Sequence, residues 1–264
     1  MLQAVALREE TESSVPYYDT LERSERTIRS LKGIPEPTFY ECSRALLLNS
    51  VPNIVHHILV YIIPSISIYF ISKEGDQTMV AGLGLAYTWL YTTALFAMDN
   101  LNMGTLVYCA AAFGAGHKKL AGLYYHRGVI LRLLGTIPSY GLILLSKIVF
   151  VSLGVAEANA DAAFTFLVYT LPYLLVVAIF NATKYYAIAQ NVNLPIFIIQ
   201  AIVTSGHFIG CEFFVIHLQL GLKGVAYSLA VSHFIGLVIV LIYMSKSSHF
   251  KETFFLPEKE SFQC

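Results

Sequence analysis

Cys109 to Gly128 read CAAAFGAGHKKLAGLYYHRG: a run of small residues, glycines at 114 and 116, a basic turn, then a second helix-forming stretch. Apolar blocks of about 20 residues or more flank it on both sides, the length that crosses roughly 30 Å of hydrocarbon. The stretch is therefore the join between two membrane-spanning helices. Gly114 and Gly116 permit backbone conformations that a side chain forbids. His117, Lys118, Lys119 and Arg127 put positive charge beside an apolar run, which marks the cytosolic face of a membrane protein.

Working outward, the 264 residues are 56% hydrophobic and 13% charged, against about 25% charged in an ordinary soluble domain. Much of the charge sits in the first 40 and last 20 positions, and the middle is a series of long apolar blocks. The chain is expected to be all-α and polytopic, with a cytosolic, disordered tail over 1–40, a six-helix transmembrane lobe over 41–246 and a cytosolic linker or tail over 247–264. A net charge of zero says nothing about nucleic acid, and no basic stripe with interleaved aromatics suggests it, so no nucleic-acid partner is expected. Cys42, Cys109, Cys211 and Cys264 show neither CxxC nor Cys/His spacing, so neither a disulfide framework nor a metal site is expected.

The six apolar segments run from about Ala45 to Ile71, from Met79 to Ala112, from Gly128 to Ser152, from Ala162 to Thr183, from Leu194 to Leu218 and from Gly224 to Met244. Asp99, Asn100 and Asn102 interrupt the second one. With no proline there, one continuous, tilted helix is the better reading than a helix that stops at Met98. Six crossings place both termini on one side. Of the 17 Lys and Arg, only Lys73, Lys147 and Lys223 fall on the other side, so the shared side is read as cytosolic. The bilayer is the first partner, and the chain is an integral multi-pass protein of the plasma membrane or an organelle.

Candidate functional residues are the polar ones inside this apolar framework. Asn49, Asn53 and either His56 or His57 recur at steps of three to four and line one face of the first helix. Asp99 is the one acidic residue well inside the apolar region, and an intramembrane carboxylate is costly enough to mark a proton or cation site. Asn181 and Gln190 are further candidates for the substrate pathway. His207 lies between Gly206 and Gly210, a GxxxG spacing that lets helices approach closely. No P-loop, G-x-S-x-G or H-E-x-x-H occurs, so neither an ATP-driven pump nor a hydrolase is supported, and no cofactor is expected.

AFGAG followed by HKKLAGLYYHRG resembles the block after the second helix of the multidrug and toxic compound extrusion (MATE) transporters, on Phe113, Gly114, Ala115, Gly116 and Arg127. Glu41 and Pro52, the fourth-helix Pro172, Lys184 and Gln190 ahead of Pro195, and the LGLKGVAYSLAVSH stretch with Gly221 and Gly224 continue the likeness over about 41–264. Two positions depart from it: the glutamine of the family's SQAFGAG is Ala111, and its nearby acidic residue falls on Leu106, seven residues after Asp99. The resemblance implies the N-terminal lobe of a secondary active antiporter, not an enzyme. Such a protein exports organic cations, other xenobiotics or metabolites in exchange for H⁺ or Na⁺. It also implies a partner, either a C-terminal lobe or a second copy, to enclose a cleft. The other reading is a transport-incompetent single-lobe scaffold or a subunit of a larger membrane complex.

Overall fold

The computed structural model describes residues 38–251, 253 and 254; the side chains of Ala45, Asn49, Pro52 and Asn53 lie outside the description, as does the expected tail up to residue 37. All regular structure among the described residues is helical. The described residues divide into a short N-terminal unit, which ends at Leu48, and a main unit from Asn49 onward. Helix α1 is Phe39–Ser72. At its start the Thr38 amide donates to the Glu41 carboxylate at 2.9 Å, the reciprocal half of a capping box.

In the main unit, six helices are long and apolar enough to cross a membrane: Ile54–Ser72 of α1, α2 (Gln77–Gly114), α3 (Lys118–Ser152), α5 (Leu171–Ala189), α6 (Leu194–His217) and α7 (Gly221–Lys246). A shorter helix, α4 (Glu157–Tyr169), precedes α5. Helix α2 runs through Asp99 without ending, as the absence of proline implied. It contains one π-helical turn at Tyr91–Leu95. Asp76 caps its start, accepting from the Thr78 and Met79 amides.

The expected fourth segment is split and displaced. Pro172 has no amide hydrogen and its ring excludes the carbonyl of the preceding turn, so the chain breaks at Thr170 and the proline sits in the first turn of α5, where no donor is needed. The Thr170 hydroxyl bonds back to the Phe166 carbonyl at 2.7 Å, and the Tyr140 hydroxyl of α3 donates to the Leu171 carbonyl at 2.7 Å. Helix α5 then continues to Ala189, six residues past the predicted end at Thr183. That shift decides where Lys184 lies.

The α2–α3 turn is a Schellman motif. Gly116 has φ of +80°, its amide bonds to the Phe113 carbonyl, and the His117 amide reaches the Ala112 carbonyl at 2.9 Å. Gly114, by contrast, is the last helical residue of α2 with nothing within 4 Å of an added Cβ, so no conformational need for glycine exists there. Close approach of helices uses Gly210, where a Cβ would sit 2.5 Å from the Ser228 hydroxyl of α7; Gly206 is only in ordinary contact range. The GxxxG reading thus holds at one of its two glycines.

Two apolar cores stack along the bundle. The first, with Phe70, Leu83, Phe166 and Val225, lies toward the α1–α2, α3–α4 and α6–α7 turns. The second, with Cys109, Tyr125, Tyr186 and Met244, lies toward the α2–α3 turn. Phe250, from the short 3-10 turn after α7, is fully buried in this second core, and the Tyr186 hydroxyl donates to the Thr253 carbonyl at 2.6 Å. Between the two cores the packing is polar.

Candidate functional site

The polar layer surrounds a cavity of about 580 Å³ to which α1, α2, α5, α6 and α7 all contribute. Helix α2 presents Tyr87, Tyr91, Leu95, Asp99 and Met103 to it, one residue every four. On a regular helix of 3.6 residues per turn such a stripe drifts by about 40° per step, about 160° over the run. The π turn at Tyr91–Leu95 inserts one residue, worth about 100°, and so returns most of that drift. The irregularity in α2 is what keeps five side chains facing one space. Three threonine hydroxyls, Thr88, Thr92 and Thr93, bond to carbonyls four residues earlier around it.

Asp99 therefore lies on the cavity wall, half-buried. One helical turn on, the Asn102 side-chain amide donates to it at 3.3 Å, and the fully buried Arg132 of α3 donates from Nη1 to the Asn102 carbonyl oxygen. The carboxylate is connected to a guanidinium through one neutral amide. Nε and Nη2 of Arg132 have no hydrogen-bond partner among the described residues. Leu106 packs instead against the second core, so Asp99 and Leu106 face different surroundings despite their nearly equal helical angle.

Across the cavity, Lys184 of α5 is 4% exposed. Its ammonium donates to Oε1 of Gln200 at 3.1 Å, lies 3.5 Å from Nε2 of His56, and sits 4.8 Å from the centre of the Phe180 ring. His233, near the middle of α7, bonds to the Leu229 carbonyl at 2.9 Å and meets Tyr173 edge to face. Tyr87 closes one end: its hydroxyl is 2.7 Å from the Ser67 hydroxyl, which is 2.9 Å from Nε2 of His207, whose Nδ1 is 2.9 Å from the Ser228 hydroxyl. His207 is thus a buried tie between α1, α2, α6 and α7, satisfied on both ring nitrogens.

Of the residues singled out from the sequence, His56, Asp99 and Asn181 come together on this cavity. Gln190 is not among its lining residues. It ends α5 in the second core, 2% exposed, accepting from the Thr253 hydroxyl at 3.3 Å. Asn49 and Asn53 lie on α1, and their side chains fall outside the description. Among the described residues no group of three or more His, Cys, Asp and Glu side chains is placed to hold a metal ion.

Sequence patterning does not single out Arg132, Lys184 or Gln200 for the site. Charge counting groups Arg132 and Lys184 with the cytosolic cations, because hydropathy places them near the ends of the third and fourth segments. The structure puts both deep in the bundle. A usable signal existed: Lys184 is three residues after Asn181, on the same helical face, and Arg132 follows an uninterrupted helical stretch from Lys118.

The MatE family model matches residues 52–213, which includes most of the cavity-lining helices. Protein DETOXIFICATION 51 from Arabidopsis thaliana is 25% identical over 248 residues, 93% of this chain and 46% of that protein. Protein DETOXIFICATION 49 from the same organism is 28% identical over 223 residues, 83% of this chain and 44% of that protein. Among solved structures, the eukaryotic MATE transporter AtDTX14 superposes with a TM-score of 0.80 at 20% identity, over 83% of this chain and 49% of that one. The chain thus spans about half the length of the relatives it matches. With six helices able to span a bilayer and a family match over most of its length, this integral multi-pass membrane protein belongs to the MatE family, the MATE transporters.

Proposed function

We propose that this chain forms the N-terminal lobe of a secondary active antiporter that moves small organic solutes across a membrane in exchange for H⁺ or Na⁺. The observation that carries the reading is the polar cavity midway along an otherwise apolar six-span bundle, walled by one carboxylate, Asp99, linked through Asn102 to Arg132. Intramembrane charges are expensive and persist where they serve an ion or substrate pathway. In transporters built from repeats, sites lie near the bilayer midplane at the interface between repeats. A chain of half the relatives' length needs a second lobe, supplied by further sequence or by another copy, to complete that cleft. Asp99 is the coupling-ion candidate, with His56 and Asn181 beside it on the wall.

The topology proposed with it has both termini cytosolic. Removing the buried Arg132 and Lys184 from the charge count leaves twelve of the fifteen other Lys and Arg on the side of the termini and the α2–α3 turn.

The test is flux in sealed vesicles carrying the intact protein, with cationic, neutral and anionic aromatic solutes and an imposed H⁺ or Na⁺ gradient. Gradient-dependent flux that falls at least about tenfold in Asp99→Asn is the expected result. Absence of gradient-dependent flux for every solute from the native protein refutes the antiporter reading.

A further inference from the structure

The two charges facing the cavity are not equivalent. Asp99 is answered by Arg132 through the Asn102 amide. Among the described residues the direct partners of Lys184 are neutral, Gln200, His56 and the Phe180 ring, and Asp99 acts on it only through space, with no ion pair between them. The uncompensated charge of the cavity is therefore positive.

Among the described residues, the groups around that charge are donors with nothing to donate to. Because the Lys184 ammonium donates to Oε1 of Gln200, the amide orientation is fixed, and Nε2 of Gln200 is left buried with no partner. Because Nε2 of His56 faces the same ammonium, that nitrogen accepts and the ring hydrogen sits on Nδ1, which is also buried and without a partner. The ammonium has a third N–H with no acceptor among the described residues. Gln200 is 1% exposed and His56 7%, and both line the cavity with Lys184. Water would satisfy these donors but would leave the lysine charge unbalanced in a low-dielectric interior. A carboxylate does both, since it offers about four lone-pair sites and a negative charge.

We propose that Lys184, Gln200 and His56 form a subsite for the carboxylate of an organic anion, whose aromatic or apolar body lies along Tyr61, Tyr91 and Tyr173 of the same cavity. The proposal rests on the transporter reading for its biological meaning, and it narrows the substrate class from organic solutes in general to organic anions.

The test is equilibrium binding to the full chain in lipid nanodiscs, with radiolabelled benzoate as probe and unlabelled benzoate, benzamide and benzylammonium as competitors. These three share a ring and differ in charge. Benzoate is expected to bind, benzamide to compete at least about tenfold more weakly, and benzylammonium least of all. Lys184→Met, which keeps length and burial, is expected to lose benzoate binding by about tenfold or more. Gln200→Glu retains the lysine and supplies an internal carboxylate, so it is expected to lose benzoate in the same way and to serve as the second variant if Lys184→Met fails to fold. Binding of benzylammonium equal to or above that of benzoate, unchanged benzoate binding in a folded Lys184→Met or Gln200→Glu protein, or no binding of any probe overturns the proposal. The readout needs no gradient, so the two readings fail separately. Flux without carboxylate binding sinks the subsite alone, and carboxylate binding without flux sinks the antiporter alone.

Discussion

Arg132→Met tests whether the Asp99–Asn102–Arg132 chain holds the bundle together electrostatically. Methionine fills much of the arginine stem's volume, so the cavity penalty is small, and the substitution chiefly removes the guanidinium. Two losses follow. The carbonyl oxygen of Asn102, fully buried, loses its donor, which costs about 1–3 kcal/mol. Asp99 loses the cation that answers its charge. Removing one partner of a fully buried pair costs about 3–5 kcal/mol, and because Asp99 is half-buried and linked through an amide, a loss discounted to about 2–3 kcal/mol applies here. The sum is about 4 kcal/mol, or about 10 °C in Tm at 2–4 °C per kcal/mol for a chain of this size. The assay is thermal unfolding of the purified protein in one detergent, for wild type, Arg132→Met, Asp99→Asn and the double variant. Asp99→Asn is expected to lower Tm as well, because it strands the fully buried Arg132 guanidinium, and the double variant to recover about half of the Arg132→Met loss, since no stranded charge remains while Asn102 stays unsatisfied. A double variant as unstable as Arg132→Met, or an Arg132→Met protein within about 2 °C of wild type, refutes the electrostatic coupling.

Two backbone predictions use the same unfolding assay. Gly116→Ala costs about 1 kcal/mol because φ of +80° is strained for any residue with a Cβ, although space around it is open; Gly114→Ala, helical and equally open, is neutral or slightly stabilising. Equal effects at the two sites would refute the Schellman assignment. Gly210→Val forces α6 away from α7 at Ser228 and disturbs the His207 tie, and is expected to cost about 2–3 kcal/mol, whereas Gly206→Ala costs under 1 kcal/mol.

The scale of the fold was legible because the membrane makes it so. Every backbone polar group in hydrocarbon needs an internal partner, so an apolar block of spanning length is a helix and little else. Hence six spans, the unbroken α2 and the α2–α3 turn follow from composition, length and the placement of proline. What composition does not encode is where a break falls relative to a proline, or that a helix carries one extra residue in a turn. The π turn at Tyr91–Leu95 leaves no mark in the sequence, and the cavity it borders has its other walls in distant segments.

The chemical character of the site turned on one such boundary. With the fourth segment ended at Thr183, Lys184 is a loop cation that belongs with Lys118 and Lys119 and speaks only to topology. With α5 carried on to Ala189, the same residue lies a helical turn from Asn181, faces Gln200 of α6 and His56 of α1, and is nearly sealed from solvent. Hydropathy ends a segment where charge begins, so it misplaces any charged residue that lines an internal cavity, and errs toward calling that residue surface. Asp99 is recognised because apolar sequence resumes well beyond it; Arg132 falls only four residues inside its segment and Lys184 just past the end of its own, so both read as cations of the cytosolic margin. Taken alone, the Asp99 carboxylate makes the cavity wall negative. With the lysine restored and the carboxylate matched to Arg132, the balance of charge on the wall reverses, and that reversal is the ground for proposing an organic anion.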